Sequence, residues 1–189
     1  MADSANVYVP APRPGGAGVF YRALLGTALP TDASTELAVD YLDHGYAGEE
    51  GFVITSARDI TDLKAFGGDT VATTQNSYDW SVQVTLLEDG NLNVLKTTFG
   101  DSNVTDNGSG LITVKHNKVR LPRSVFVIDT IGDNDRLKRQ IIPIGQVTAV
   151  GDITVVHTDM VKYQLTVKAY PNPFGDNVIE YIEEVPDGS

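Results

Sequence analysis

Three histidines, His44, His116 and His157, are the side chains best suited to proton transfer or metal binding near neutral pH. None stands at a metal-ligand spacing from another, such as i, i+4 on a helix, and each is flanked by polar residues or falls at a strand end. The chain has no cysteine, which removes thiolate nucleophiles, disulfides and cysteine-based zinc sites together. No nucleophile-elbow pattern is present. A Ser-His-Asp triad is defined by geometry and not by spacing, so here the case against one is the poverty of candidate groups. Gly15-Gly16-Ala17-Gly18 lacks the spacing and the Lys-Ser/Thr pair of a phosphate-cradling loop. The acidic stretches Asp101–Gly108 and Asp133–Asp135 lack the ligand spacing and terminal Glu of a calcium loop, and read as hairpin turns. Glu49-Glu50 and Glu183-Glu184 are adjacent pairs that a strand would point to opposite faces, so neither shares a proton. Trp80 would serve as a sugar-stacking platform if exposed, but apolar residues two positions away on each side make it a core residue. The expectation is no catalytic residue, no metal site and no cofactor, and a protein that is not an enzyme.

Side chains this poor in chemistry direct attention to the scaffold. A chain of 189 residues can bury a core without metal or disulfide help. Its net charge of −11 disfavours nucleic-acid binding by phosphate neutralisation and disfavours anionic membranes. Charge is uneven: residues 1–112 carry 5 basic and 15 acidic side chains, residues 113–189 carry 9 and 10. Seven basic groups, Lys115, Lys118, Arg120, Arg123, Arg136, Lys138 and Arg139, fall close together in sequence. They read either as a basic inter-subunit patch complementing the acidic half of a neighbouring copy or as a solvated hairpin. Met1–Pro14 has neither the basic lead nor the apolar segment of a signal peptide, and no apolar run approaches a membrane span. The triplets Asn103-Val104-Thr105 and Asn107-Gly108-Ser109 therefore read as turn residues.

The predicted elements are mostly strands. Residues 1–35 read as an extended N-terminal arm, because Pro10, Pro12, Pro14 and the Gly15–Gly18 run forbid regular helix and weaken strand. Its Val7, Tyr8, Val9, Val19, Phe20, Tyr21, Leu24 and Leu25 require a surface to dock on, on the parent domain or a neighbour. The clearest strand is Tyr78–Leu86, with Tyr78, Trp80, Val82, Val84 and Leu86 on one face and Asp79, Ser81, Gln83 and Thr85 on the other. Further strands are expected at Gly51–Ser56, Thr70–Gln75, Leu111–His116, Ser124–Ile131, Leu137–Ile144, Gln146–Val156, Val161–Tyr170 and Val178–Glu184. Ser124–Ile131 is apolar on both faces and should be central. Asp133-Asn134-Asp135 and Gly151-Asp152 fit hairpin ends. Asp89–Phe99 reads as one short helix, with Asp89 as N-cap and Gly100 at the C-cap. Ala57–Asp69 shows no clear periodicity and reads as a long loop, docked through Ile60, Leu63 and Phe66. The fold class expected is mainly β, a β-sandwich or barrel with one short α-helix; residues 36–189 form its β domain.

These segments resemble, in matching order, the major tail tube proteins of long-tailed phages of actinobacteria and other Gram-positive hosts. The resemblance is carried by Val7-Tyr8-Val9, Tyr21-Arg22-Ala23, Leu25–Ala33, Leu42–Tyr46, Glu49-Glu50-Gly51, Lys64–Val71, Asn93–Thr97, Phe99-Gly100, Ile142-Pro143, Val150–Ile153 and Ala169-Tyr170-Pro171. His44 stands where a leucine is expected. The resemblance implies a virion tail protein, present in the host cytoplasm during assembly. It implies hexameric rings stacked into a tube, with each subunit lending strands to a continuous inner barrel and with arms and a long loop bridging rings. Expected partners are other copies of the chain, the tape measure protein, and terminator and baseplate proteins. Double-stranded DNA would pass through the lumen without specific binding, and no membrane is involved. A lumen without net positive charge would not trap DNA, and Asp79, Ser81, Gln83 and Thr85 are the candidate lumen lining, the opposite assignment being an outer surface. Arg58, Ile60, Leu63, Lys64, Phe66, Gly67 and Gly68 are the candidate inter-ring loop, unless Leu63 and Phe66 plug the core of their own domain. Val7, Tyr8, Val9, Phe20 and Tyr21 are the candidate arm contacts.

Two other classes compete with the tube. A carbohydrate-binding or adhesin β-sandwich would show exposed aromatics on a monomer. A hydrolase on a β scaffold would need a convergent polar site.

Overall fold

The computed structural model describes residues 2, 6–14, 18–132 and 135–184. In chain order the strands are β1 (Pro10–Ala11), β2 (Phe20–Leu24), β3 (Leu42–Asp43), β4 (Ala47–Lys64) and β5 (Thr70–Leu86). After helix α1 (Leu92–Phe99) come β6 (Val104–Asp106), β7 (Ile112–Val114), β8 (Arg123–Gly132), β9 (Arg136–Val150), β10 (Tyr163–Ala169) and β11 (Ile179–Glu184). The fold is mainly β with a single α-helix among the described residues, as the sequence led us to expect. The large sheet runs β3-β2-β8-β9-β10-β5-β4, with β1 added to β8 and β11 to β9; β6 and β7 form a separate hairpin.

The sheet curls on itself because its central strands bury apolar faces against one another. Val82, Val84 and Leu86 of β5 meet Leu165 and Val167 of β10, Phe126 of β8, Ile142 of β9 and Val94 and Leu95 of α1, all buried. Phe20 on β2 stacks against Phe126 at 5.6 Å and reaches Phe52 on β4 at 6.1 Å, so strands far apart in sheet order touch across the core. Trp80 is buried in this cluster, as a core residue and not a platform. Val125, Phe126, Val127 and Ile128 are all buried, as a central strand with apolar side chains on both faces requires.

Several elements differ from expectation for identifiable reasons. Leu137–Ile144 and Gln146–Val156 are one strand, β9, that runs through Gly145 and ends at Val150. Pro143 is tolerated because the β8–β9 register slips there, between Ser124–Gly145 and Phe126–Ile142. A side chain at Gly145 would strike the Phe126 ring at 2.5 Å, so glycine is required at this close approach. The helix begins later than Asp89: Asn91 is its N-cap and accepts from the Asn93 N–H at 2.9 Å, while the Asp89 carboxylate takes the Tyr163 hydroxyl. Phe20–Leu24 is a sheet strand inside the expected arm, paired with β8 from Ile128 to Ser124. Asp133 and Asn134 of the expected turn, and Gly15–Ala17, lie outside the described residues; Asp135 adopts a left-handed conformation at φ 58°.

Candidate functional site

Ala57–Asp69 is not a loop. Arg58, Ile60, Leu63 and Lys64 belong to the second half of β4, which pairs with β5 as far as Lys64–Thr70. Phe66, Gly67 and Gly68 form the turn, where Ala65 N–H donates to Asp69 O at 2.7 Å and the glycines hold φ of 117° and 101°. Thr70–Gln75 and Tyr78–Leu86 are likewise one strand, broken in register by a bulge where Asp59 pairs with Ser77 and Ile60 with Gln75. The periodicity was absent because both faces of this hairpin meet solvent, so no face had to be apolar. β10 stops at the Ala169–Trp80 pair, and β4 and β5 continue alone past it. At about 3.3 Å per residue, the eight residues Ala57–Lys64 carry the hairpin about 25 Å beyond the sheet. Its end displays Ile60, Leu63, Val71 and a fully exposed Phe66. Polar cross-strand bonds stiffen it: Asn76 donates to Asp59 and Thr61, Thr73 to Asp62, and Arg58 lies over the Tyr78 ring at 4.6 Å.

Below the hairpin, four strands in the order β4-β5-β10-β9 present one face away from the core. Ala149, Thr166, Gln83 and Val53 form one row across it, and Lys168, Ser81 and Thr55 form part of the next. Asp79 pairs with Lys168 at 2.5 Å, and Gln83 donates to the Thr166 hydroxyl at 3.4 Å. The face is therefore small, polar and charge-balanced. Asp79, Ser81 and Gln83 lie on it as the alternation required. Thr85 points the same way but is buried under the backbone of Gly48. Both lateral edges of this four-stranded unit lack a neighbour among the described residues: the outer edge of β4, and β9 beyond Gln146, where the β8 ladder has ended.

The N-terminal segment lies on its own domain. Tyr8 shares a hydrogen bond with the Thr130 hydroxyl at 2.7 Å, and β1 pairs Pro10 with Gly132 and Ala11 with Ile131. Val7 and Val9 are exposed; Phe20 is core and Tyr21 half-buried in β2. Arg13 Nη2 contacts Asp129 Oδ1 at 2.6 Å, and Arg139 Nη2 contacts Asp129 Oδ2 at 2.8 Å. Arg139 Nη1 also donates to the carbonyls of Asp32 and Thr35 at 3.0 and 2.9 Å. A second buried cation, Arg22, is paired with Asp101 and bonded to Ser124 at 2.9 Å. These networks were missed in the sequence. The signal was present: Arg22 in Phe-Tyr-Arg-Ala-Leu and Asp129 in Val-Phe-Val-Ile-Asp are charges inside apolar strands, which demand partners.

The seven basic residues do not form one patch. Arg123 and Arg136 sit at opposite ends of the β8–β9 ladder. Arg139 is buried in the Asp129 cluster, while Arg136 and Lys138 pair with Glu184 and Glu180 of β11. Arg120 donates to Gln146, Arg123 lies over the Tyr170 ring, and Lys115 and Lys118 flank His116 near the end of α1. Cross-strand pairing, not sequence proximity, decides the charge balance here.

The histidines are structural or exposed. His44 is buried, shares a hydrogen bond with the Thr97 hydroxyl at 2.7 Å, and packs edge-on against Phe20. Burial, with Arg22 nearby, pushes its pKa down to about 4. His116 packs on Phe99, and His157 is exposed in the β9–β10 connection. Among the described residues no three His, Asp or Glu side chains are grouped to hold a metal ion.

A family model described as phage tail tube protein matches residues 7–187. The chain belongs to the phage tail tube protein family. None of the curated proteins compared matches this tail tube protein. Among solved structures, the anti-feeding prophage cap, the tube-terminating cap, is similar at 12% identity and a TM-score of 0.46, covering 97% of this chain and 100% of the cap chain. A chain of the sheath-tube complex of the PVC extracellular contractile injection system, in its extended state, is similar at 10% identity and a TM-score of 0.46, covering 98% of this chain and 100% of that one. Membership makes this tail tube protein a structural component of a phage tail.

Proposed function

We propose that the chain polymerises as hexameric rings stacked into a tail tube, and that the tube is the conduit through which DNA is ejected into the host cell. The observation that carries this reading is the four-stranded unit β4-β5-β10-β9 with two unpaired lateral edges. An unpaired edge is a template for another strand. Joining the β4 edge of one copy to the β9 edge of the next closes the sheet into a ring without exposed edges. The row Ala149–Thr166–Gln83–Val53 then faces the lumen. The Asp79–Lys168 pair leaves that wall without net positive charge to hold phosphates. The hairpin end, with Leu63 and Phe66, reaches the adjacent ring and buries there the apolar surface that its own domain leaves in water. Assembly takes place in the host cytoplasm, and the tape measure, terminator and baseplate proteins are the further partners of the tube.

Negative-stain electron microscopy of the concentrated protein, with and without other tail components, tests the reading. Hollow tubes with six-fold end views are expected. A protein that stays monomeric in the presence of the other tail components refutes it.

A further inference from the structure

Residues 6–14 cross the top of β8 and form one wall of an apolar groove of about 680 Å³. The other wall is the start of β4, Glu49–Ile54, with Val19, Phe52 and Ile128 among the lining side chains. The grip of this segment is narrow. It consists of a two-residue ladder, the Tyr8–Thr130 bond, the Lys138 ammonium 5.7 Å from the Tyr8 ring centre, and the Arg13 contacts with Asp129 and the Ala33 carbonyl. Apolar burial adds little, since Val7, Val9, Pro10 and Ala11 are exposed. Arg13 Nε is buried without a hydrogen-bond partner among the described residues, which weakens the hold further.

Asp129 receives two guanidinium groups, one from the segment and one from the domain. If Arg13 leaves, Arg139 still pairs with the carboxylate, so no unpaired buried charge is left behind. Arg139 cannot leave so cheaply, because it also holds the Asp32 and Thr35 carbonyls. One cation thus belongs to the fold and the other to a contact that can be broken without unfolding it. We infer that residues 6–14 are a detachable strap over the groove, held at Arg13 in the free subunit and released when one copy joins the next. The inference rests on the tube reading and adds to it a step that regulates assembly.

The chain has no cysteine, so a single engineered disulfide is unambiguous. Ala11 and Ile131 are antiparallel partners, whose Cα atoms lie about 4.5–5.5 Å apart in such pairs, within the range a disulfide spans. In Ala11→Cys/Ile131→Cys, oxidation should keep the protein a folded monomer where the wild type polymerises, and reductant should restore polymerisation. Arg13→Ala should stay folded, raise exchange of the amides that the β1–β8 ladder protects about tenfold, the ratio one lost charge-assisted hydrogen bond implies, and shorten the assembly lag. Equal polymerisation of the oxidised and reduced forms, or unchanged exchange in Arg13→Ala, overturns the strap. If the wild type itself never polymerises, the tube reading fails instead, and the exchange measurement on the monomer still decides whether Arg13 is the release point.

Discussion

Replacing Leu63 and Phe66 with serine should separate folding from polymerisation. In the free subunit Phe66 is fully exposed and Leu63 is 47% exposed. Neither change removes a core contact, so monomer stability should move by no more than about 1 kcal/mol, or about 2–4 °C in Tm for a chain of this size. In the proposed tube the same two side chains would be buried against the adjacent ring. Burying a whole phenylalanine is worth about 1.5–3 kcal/mol, and burying the exposed half of a leucine about 1 kcal/mol. The loss per inter-ring contact is then about 2.5–4 kcal/mol, or about 70- to 1,000-fold in its equilibrium constant. If six contacts act together in each ring junction, as proposed, the concentration at which tubes appear should rise beyond reach while thermal unfolding of the monomer scarcely changes. Sedimentation of polymer across a concentration series, with circular-dichroism melting of the soluble fraction, reads both quantities. Tubes at the wild-type concentration would refute the inter-ring assignment. A melted monomer would show that the hairpin end packs on its own domain.

Asp129→Asn removes the charge that two arginines share inside the protein, and should destabilise the monomer by about 3–5 kcal/mol in chemical unfolding, against about 1.4 kcal/mol for Arg13→Ala. His44 titrates near 4 when folded and near 6.5 when unfolded, so below pH 6.5 the unfolded chain takes up a proton that the native state refuses. Stability should therefore be fully present above about pH 6.5 and fall by about 3 kcal/mol as pH drops to about 4, and His44→Leu should flatten that limb in urea titrations. The lowered carboxyl of Asp32, held by Thr35, acts only below its unfolded value of 3.8 and outside this window. Ser81→Lys with Gln83→Lys would add two positive charges per subunit to the face proposed to line the lumen, and should slow DNA ejection from assembled particles, increasingly so at low salt; unchanged ejection kinetics would place that face elsewhere.

The core was legible because burial imposes a period. Tyr78–Leu86 alternates since one face meets the core and the other does not, and Ser124–Ile131 does not alternate since β8 is covered on both faces. Trp80, the single helix and the central place of β8 followed from those patterns. What went unread was decided by partners distant in sequence. Phe20–Leu24 is a strand because β8 supplies its ladder, although prolines and glycines precede it. Arg139 is a core residue because Asp129 sits opposite it on β8, and no count of basic residues along the chain shows that pairing.

The hairpin end was unreadable for a different reason, and that reason bears on its role. Hydrophobic periodicity records which face of a strand meets the core of its own domain. Beyond the Ser56–Trp80 pair both faces of the hairpin leave that core, so the domain imposes no pattern on Arg58–Lys64. Ile60, Leu63, Phe66 and Val71 nevertheless remain apolar in water, without burial in their own chain to account for them. Long, exposed, flat strands that carry apolar side chains promote aggregation unless a partner covers them. The segment that gave the weakest structural signal is therefore the one whose composition calls most strongly for another copy of the chain.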